Sequence, residues 1–291
     1  MSIVDRKNPF CLEPVTLHAQ FFGRTKETQR TLSFLHQLQC VSIVGPAKIG
    51  KTSFLFHVAH PHVRAKRKLA EEPVFVYVDS RSLANLNEGA CYLYIREEAI
   101  RQIKSAVTLD KEVGIRLEQM VREAGSQTTH FGLRTLFQST GAVGLKCVIV
   151  LDNLDLLNQN HLLGQKFPSA LRSLHTKYAV AYLIASELPI YKLERICPGG
   201  PGSPFFNIFQ QISIGPFKDE ESRQLVVTSL NMSGARFPEF IIDHILELGH
   251  NEPYRLQQAG CIAFQVWQEN LGCLQEEHCE EIRRRFEGTH A

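Results

Sequence analysis

The chain has 291 residues, 44% hydrophobic, 21% charged and 9% aromatic, a balance typical of globular proteins with one large core and room for a smaller one. A formal net charge of +2 gives no overall field for nucleic acid or an anionic membrane, and no apolar run approaches the ~18 residues of a membrane span. The start, Met1-Ser2-Ile3-Val4-Asp5-Arg6-Lys7, lacks a signal-peptide core, and the eight cysteines (11, 40, 91, 147, 197, 261, 273 and 279) form no C-x-x-C pair, which predicts reduced thiols and a cytoplasmic protein.

In chain order, residues 1–20 read as an arm broken by Asn8-Pro9 and Glu13-Pro14. Phe22-Gly23-Arg24 leads to a helix from Thr25 to about Gln39, with Leu32, Leu35 and Leu38 on its apolar face. Cys40–Val44 is a β-branched strand, followed by Gly45-Pro46-Ala47-Lys48-Ile49-Gly50-Lys51-Thr52-Ser53 and an apolar helix to about His60. The basic cluster His62, Arg64, Lys66, Arg67 and Lys68 reads as a solvated helix end and loop. Pro73–Asp79 reads as a strand buried on both faces, and helices follow at 88–107 (Leu93, Ala99, Ile100 and Ile103 inward), about 111–124, and 131–140, the last closed by Gly141 and Gly144. Cys147–Leu151 is a fully apolar strand ending at Asp152; helix 168–177 leads to strand Val180–Ala185, ending at Ser186. Cys197–Pro204 is a loop, and Ile212–Ile214 a short last strand.

After Gly215-Pro216 the pattern turns all-helical, with helices at about 219–231, 238–248, 253–270 and 275–286; Pro238 suits the first position of the second. The expected fold is α/β: a three-layer αβα sandwich around a parallel five-stranded sheet, then a small helical lid. The expected division is an arm at 1–20, a core at 21–216 and a lid at 217–291.

The stretch 45–53 has the spacing G-x-x-x-x-G-K-[ST] between a strand and a helix. Glycines let backbone N–H groups curl around a phosphate chain, and the helix N-terminus adds partial positive charge. Lys51 is placed to reach the β- and γ-phosphates and the Thr52 hydroxyl to hold Mg²⁺. Asp152, about 100 residues on at a strand end, is the expected second Mg²⁺ ligand. Hydrolysis also needs a group to orient or deprotonate water. Asn153 can orient water but cannot take its proton. Asp155 is the nearest spare carboxylate, and Ser186 ends the next strand. Slow hydrolysis, or a switch that mostly binds, is the expectation.

Four stretches resemble the AAA+ ATPases and their signal-transducing relatives, the STAND NTPases, near ATPases related to origin-recognition proteins. They are Phe22-Gly23-Arg24-x-x-Glu27, the phosphate loop, Val148-Ile149-Val150-Leu151-Asp152, and Gly249-His250-Asn251-Glu252-Pro253-Tyr254-Arg255-Leu256-Gln257. The resemblance covers about residues 8–270. It implies strand order 5-1-4-3-2, a P-loop NTPase core with a helical lid, and ATP or ADP with Mg²⁺ between them. It also implies that Phe22-Gly23-Arg24 runs along the adenine side, that Pro253 turns against the base, and that Arg255 senses the γ-phosphate. Two departures stand out: Asn153 holds the place where many relatives carry glutamate, and Glu187 the place where many STAND proteins carry arginine. No arginine finger can be named.

The leading expectation is an ATP-dependent switch read by a protein partner or by a second copy of the chain. A DNA-associated ATPase of the origin-recognition or transposition type is the alternative. It calls for a winged helix or a basic face, and about 20 residues beyond the last strong lid helix leave no room for a winged helix. A non-hydrolysing scaffold is the third reading, supported by Asn153. Adenine rather than guanine follows from the resemblance, since no N-K-x-D reader occurs after the fourth strand.

Overall fold

The structure, a computed structural model, describes residues 6–65, 73–107, 115, 129–196 and 205–289. The helix expected at 111–124 (residue 115 apart), Lys66 to Lys68 of the basic cluster and the Cys197–Pro204 loop lie outside the described residues.

In chain order the elements are α1 (Thr25–His36), β1 (Cys40–Val44), α2 (Lys51–Ala59), α3 (Pro61–Ala65), β2 (Val74–Asp79), α4 (Glu88–Val107), α5 (His130–Ala142), β3 (Cys147–Asp152), α6 (Leu154–Asn158), α7 (Lys166–Lys177), β4 (Val180–Ser186), α8 (Ile190–Ile196), β5 (Phe209–Ser213), α9 (Asp219–Ser233), α10 (Glu239–Gly249), α11 (Pro253–Glu269) and α12 (Glu277–Gly288). They fall into two compact units: Lys26–Gly45 with Val58–Ser213, and Met1–Thr25 with Pro46–His57 and Ile214–Ala291.

The first unit is built on a five-stranded parallel sheet of order β2-β3-β4-β1-β5, the order the resemblance implies. β1, β3 and β4 are buried at every position, which is why their sequences are unbroken apolar runs. Register sets Val44 beside Ser186 and Asp79 beside Asp152, so the strand ends form one polar edge. The outer strands depart from expectation. Among the described residues β2 pairs with β3 alone, and it is only alternately buried; its outer edge is met at Tyr77, whose N–H and C=O bond the Gln102 side-chain amide of α4, blunting an open strand edge. β5 starts at Phe209 and ends at Ser213. The exposed Gln210 and Gln211 hide it from an apolar-run reading. In α4 the buried apolar residues are Cys91, Tyr92, Ile95, Ala99 and Ile103, while Leu93 and Ile100 are half-buried. α5 runs through Gly141 to Ala142, and α1 stops at His36, leaving Leu38 beyond it with φ 54°.

The second unit is held by α9 to α12 around one apolar cluster that includes Val226, Ile241, Ile245, Leu256, Phe264 and Trp267. Pro238 is the N-cap of α10, one place before the expected position, and Pro253 is the proline at a helix start. Residues 6–11 dock on this bundle. Phe10 is 5% exposed and fills the space over Gly260, where a Cβ would come within 2.4 Å of its ring. Asn8 donates to the Cys261 carbonyl (3.1 Å), and the Cys11 N–H donates to Gln257 Oε1 (3.0 Å). No helix among the described residues is long and apolar enough to cross a membrane. The seven described cysteines are free thiols.

Candidate functional site

The phosphate loop leaves β1 at Gly45, whose N–H donates to the Ser186 carbonyl (3.3 Å). Lys48 and Gly50 both take positive φ, 60° and 93°. Gly50 does so without steric cost, and the chain then enters α2 at Lys51. Lys51 is 9% exposed, and its Nζ donates to the Pro46 carbonyl (2.8 Å), closing the loop on itself. Thr52 is the second residue of α2, at the helix end whose N–H groups suit an anion. Ser53 Oγ accepts the Val15 N–H (2.9 Å), and Ala47 and Ile49 complete the turn.

The same unit brings other predicted residues to the loop and lid. Lys48 Nζ sits 4.2 Å from the centre of the Tyr254 ring, a cation–π contact between the phosphate loop and the first turn of α11. Gly23 and Arg24 are consecutive left-handed residues, φ 67° and 58°. A Cβ on Gly23 would lie 2.8 Å from Glu221 Oε1. The Arg24 N–H donates to that oxygen (2.9 Å), its guanidinium bonds the Gly215 carbonyl and stands 4.7 Å from the Phe217 ring. Phe22 packs on the lid cluster. Phe22-Gly23-Arg24 therefore docks on the start of the lid. Beside it, Phe21 stacks on His57 of α2 (3.9 Å, 17°), which also faces His18.

Arg255 is turned into its own bundle. Its Nε donates to the Leu248 carbonyl (3.3 Å) and its guanidinium lies 5.3 Å from the Phe286 ring. Pro253 opens α11 and places Tyr254, not Arg255, over the loop lysine.

In the sheet unit, Asp152 is 1% exposed. Its Oδ2 accepts the Tyr77 hydroxyl (2.7 Å) and its Oδ1 the Asn153 N–H (2.9 Å). An ionised carboxylate offers about four lone-pair sites, and a buried carboxylate fits a hard divalent ion. Burial first, and then the hydrogen bond and charge of Asp152, hold the Tyr77 phenol well above its ordinary range. Asn153 is left-handed, φ 55°. Burial pushes the Asp79 carboxyl up, but hydrogen bonds from Arg81, the Arg81 charge and the Asn153 amide outweigh it and hold it below its usual value. Both oxygens of Asp155 accept backbone N–H groups, from Glu187 (2.7 Å) and Leu188 (3.3 Å), pinning the turn after β4. The Ser186 hydroxyl donates to the Leu188 carbonyl (2.8 Å) in that turn.

The profile of the family described as Novel STAND NTPase 1 matches residues 16–283. The chain belongs to that family. In fold, this STAND NTPase is similar to a Walker-type ATPase of Pyrococcus abyssi (TM-score 0.63, 16% identity, 96% of this chain and 75% of that one). It is also similar to the ORC2 protein of Aeropyrum pernix in ADPNP–ADP complexes (TM-score 0.66, 13% identity, 90% and 66%) and to Drosophila ORC bound to DNA (TM-score 0.61, 15% identity, 97% and 65%). This chain thus spans about two thirds of the two ORC chains. No curated protein matches it by sequence.

The sequence of this STAND NTPase assigns no site role to Tyr77, Asp79, Glu221 or Tyr254. Tyr77 reads as an ordinary strand aromatic. Only Glu221 carried a local signal, since it is the third residue of α9 and also accepts the Lys218 N–H in a capping box.

Proposed function

We propose that this STAND NTPase binds ATP and ADP, with Mg²⁺, at the phosphate loop and works as a nucleotide switch whose lid signals to a protein partner. The observation that carries the reading is the Lys48–Tyr254 contact, because it joins a phosphate-loop residue to the lid. A change of charge at the loop then alters what holds the lid, which is the differential contact a switch requires. Arg24, bonded to Glu221 and Gly215, is a second tie between the segment before the loop and the lid.

In this reading Lys51 holds the phosphates, and Thr52 and Asp152 would hold Mg²⁺, which neutralises phosphate charge. Tyr77 positions the Asp152 carboxylate. Turnover is slow: Asn153 cannot accept a proton, and Asp155 is committed to two backbone amides. A general base contributes about 10²–10⁴-fold where one is present. Free cysteines suit work in the cytoplasm. The DNA-associated alternative draws on the Drosophila ORC bound to DNA.

The test is nucleotide release from denatured protein, followed by melting with and without ATP–Mg²⁺. At 100 times Kd a ligand stabilises the folded chain by about 2.7 kcal/mol, and Lys51→Ala should abolish that gain while leaving the ligand-free melting temperature unchanged. An equal gain in the variant would remove the loop from the site. Hydrolysis accelerated by duplex DNA would favour the alternative.

A further inference from the structure

The helix layer of the sheet unit carries a feature that the nucleotide reading does not use. Between residues 124 and 186 the only acids are Asp152 and Asp155, against Arg134, Lys146, Lys166, Arg172 and Lys177. Both acids are at strand-end positions and engaged there. α5 and α7 contain no Asp or Glu at all.

Two pairs from these helices converge on one cleft of about 100 Å³. His130 and Arg134 stand four apart on α5, Ser173 and Lys177 four apart on α7, and Tyr92 of α4 and Leu174 supply apolar wall. That spacing puts each pair on one helix face. Arg134 uses only Nε, donating to the Tyr178 hydroxyl (3.0 Å), while its guanidinium lies 5.9 Å from the Phe131 ring. Its terminal N–H groups remain for a ligand. Among the described residues no carboxylate lines the cleft or pairs with Arg134 or Lys177. Glu88, one turn before Tyr92 on α4, accepts the Tyr92 hydroxyl (2.8 Å).

We infer that this cleft is a binding site for a phosphate monoester. A planar guanidinium, an ammonium, an imidazole and a hydroxyl meeting in one small recess match the three terminal oxygens of such a group. Its size admits a terminal phosphate, whereas a diester backbone continues on both sides and needs an open track. The group arrives either as a free small phosphate or on a phosphorylated side chain of a protein. The site is independent of the nucleotide reading.

The phosphate loop would also take phosphate, so the experiment uses the full chain carrying Lys51→Ala. Inorganic phosphate and a phosphoserine peptide are titrated by calorimetry, with Arg134→Gln and Lys177→Gln added singly. The expected result is saturable binding that weakens about tenfold or more in each variant, with unchanged far-UV circular dichroism. A peptide at least about tenfold tighter than inorganic phosphate identifies a protein-borne group, and equal affinities identify a free one. No saturable binding of either probe at millimolar concentration, or binding indifferent to both substitutions, overturns the inference. So does a duplex oligonucleotide that binds more tightly than both probes and loses affinity in the same variants.

Discussion

Replacing Tyr77 with phenylalanine removes one oxygen and keeps the ring, so it isolates the 2.7 Å bond to Asp152. Asp152 is almost fully buried and would keep only its bond from the Asn153 N–H among those described above. A hydrogen bond to a charged acceptor contributes ~1.5–3 kcal/mol. At about 2–4 °C per kcal/mol for a domain of this size, Tyr77→Phe should melt about 3–12 °C below the parent at pH 7. The pH dependence gives a second, independent check. The folded phenol is held well above its ordinary value, first by burial and then by Asp152, whereas the unfolded phenol ionises near pH 10. Above that pH the unfolded state binds fewer protons than the folded one, so stability falls as pH rises. At pH 11 the parent should have lost about 1.4 kcal/mol through this group, and the variant, which lacks it, nothing. The gap between the two should therefore narrow from pH 7 to pH 11. Thermal melts at both values, followed by far-UV circular dichroism, make the measurement. Equal melting temperatures at pH 7, or a gap that does not change with pH, would refute the assignment of the Tyr77 proton to Asp152.

Three more outcomes follow from the packing. Gly23→Val sets a branched side chain at φ 67°, with its Cβ 2.8 Å from Glu221 Oε1; it should cost about 1–3 kcal/mol and speed hydrogen exchange at Arg24, and unchanged exchange would count against the Arg24–Glu221 tie. Phe10→Ala should cost about 3–5 kcal/mol and expose Gly260 and Cys261 of α11, seen as faster hydrogen exchange there; a loss below about 1 kcal/mol would mean that the segment before the loop is not anchored on the lid bundle. Cys40 and Cys147, both pushed up to about 12 by burial, and Cys91, pushed up to about 11 by burial and by Glu88, should resist thiol reagents at pH 8, while exposed Cys11 and Cys273 react. Rapid labelling of Cys147, mapped by peptide mass, would contradict its place in β3.

The sequence by itself determined the phosphate loop, the three central strands and the four lid helices. Each is declared by neighbours in the chain: a nine-residue spacing for the loop, unbroken apolar runs where both faces are covered, and helical starts such as Pro253. The edge strands gave a weaker signal, because half their side chains meet water and Gln210 and Gln211 look like loop. Tertiary structure decided which side chains serve the site. Tyr77 reaches Asp152 across 75 residues of chain, and Arg24 reaches Glu221 across 197. No local spacing encodes such pairs. The same holds for the candidate residues near the site: Asp155 and Ser186 are drawn into the turn after β4, Arg255 into its own bundle, and Tyr254 onto Lys48. Their residue types allowed either role, and only the directions imposed by helix start and strand register chose between them.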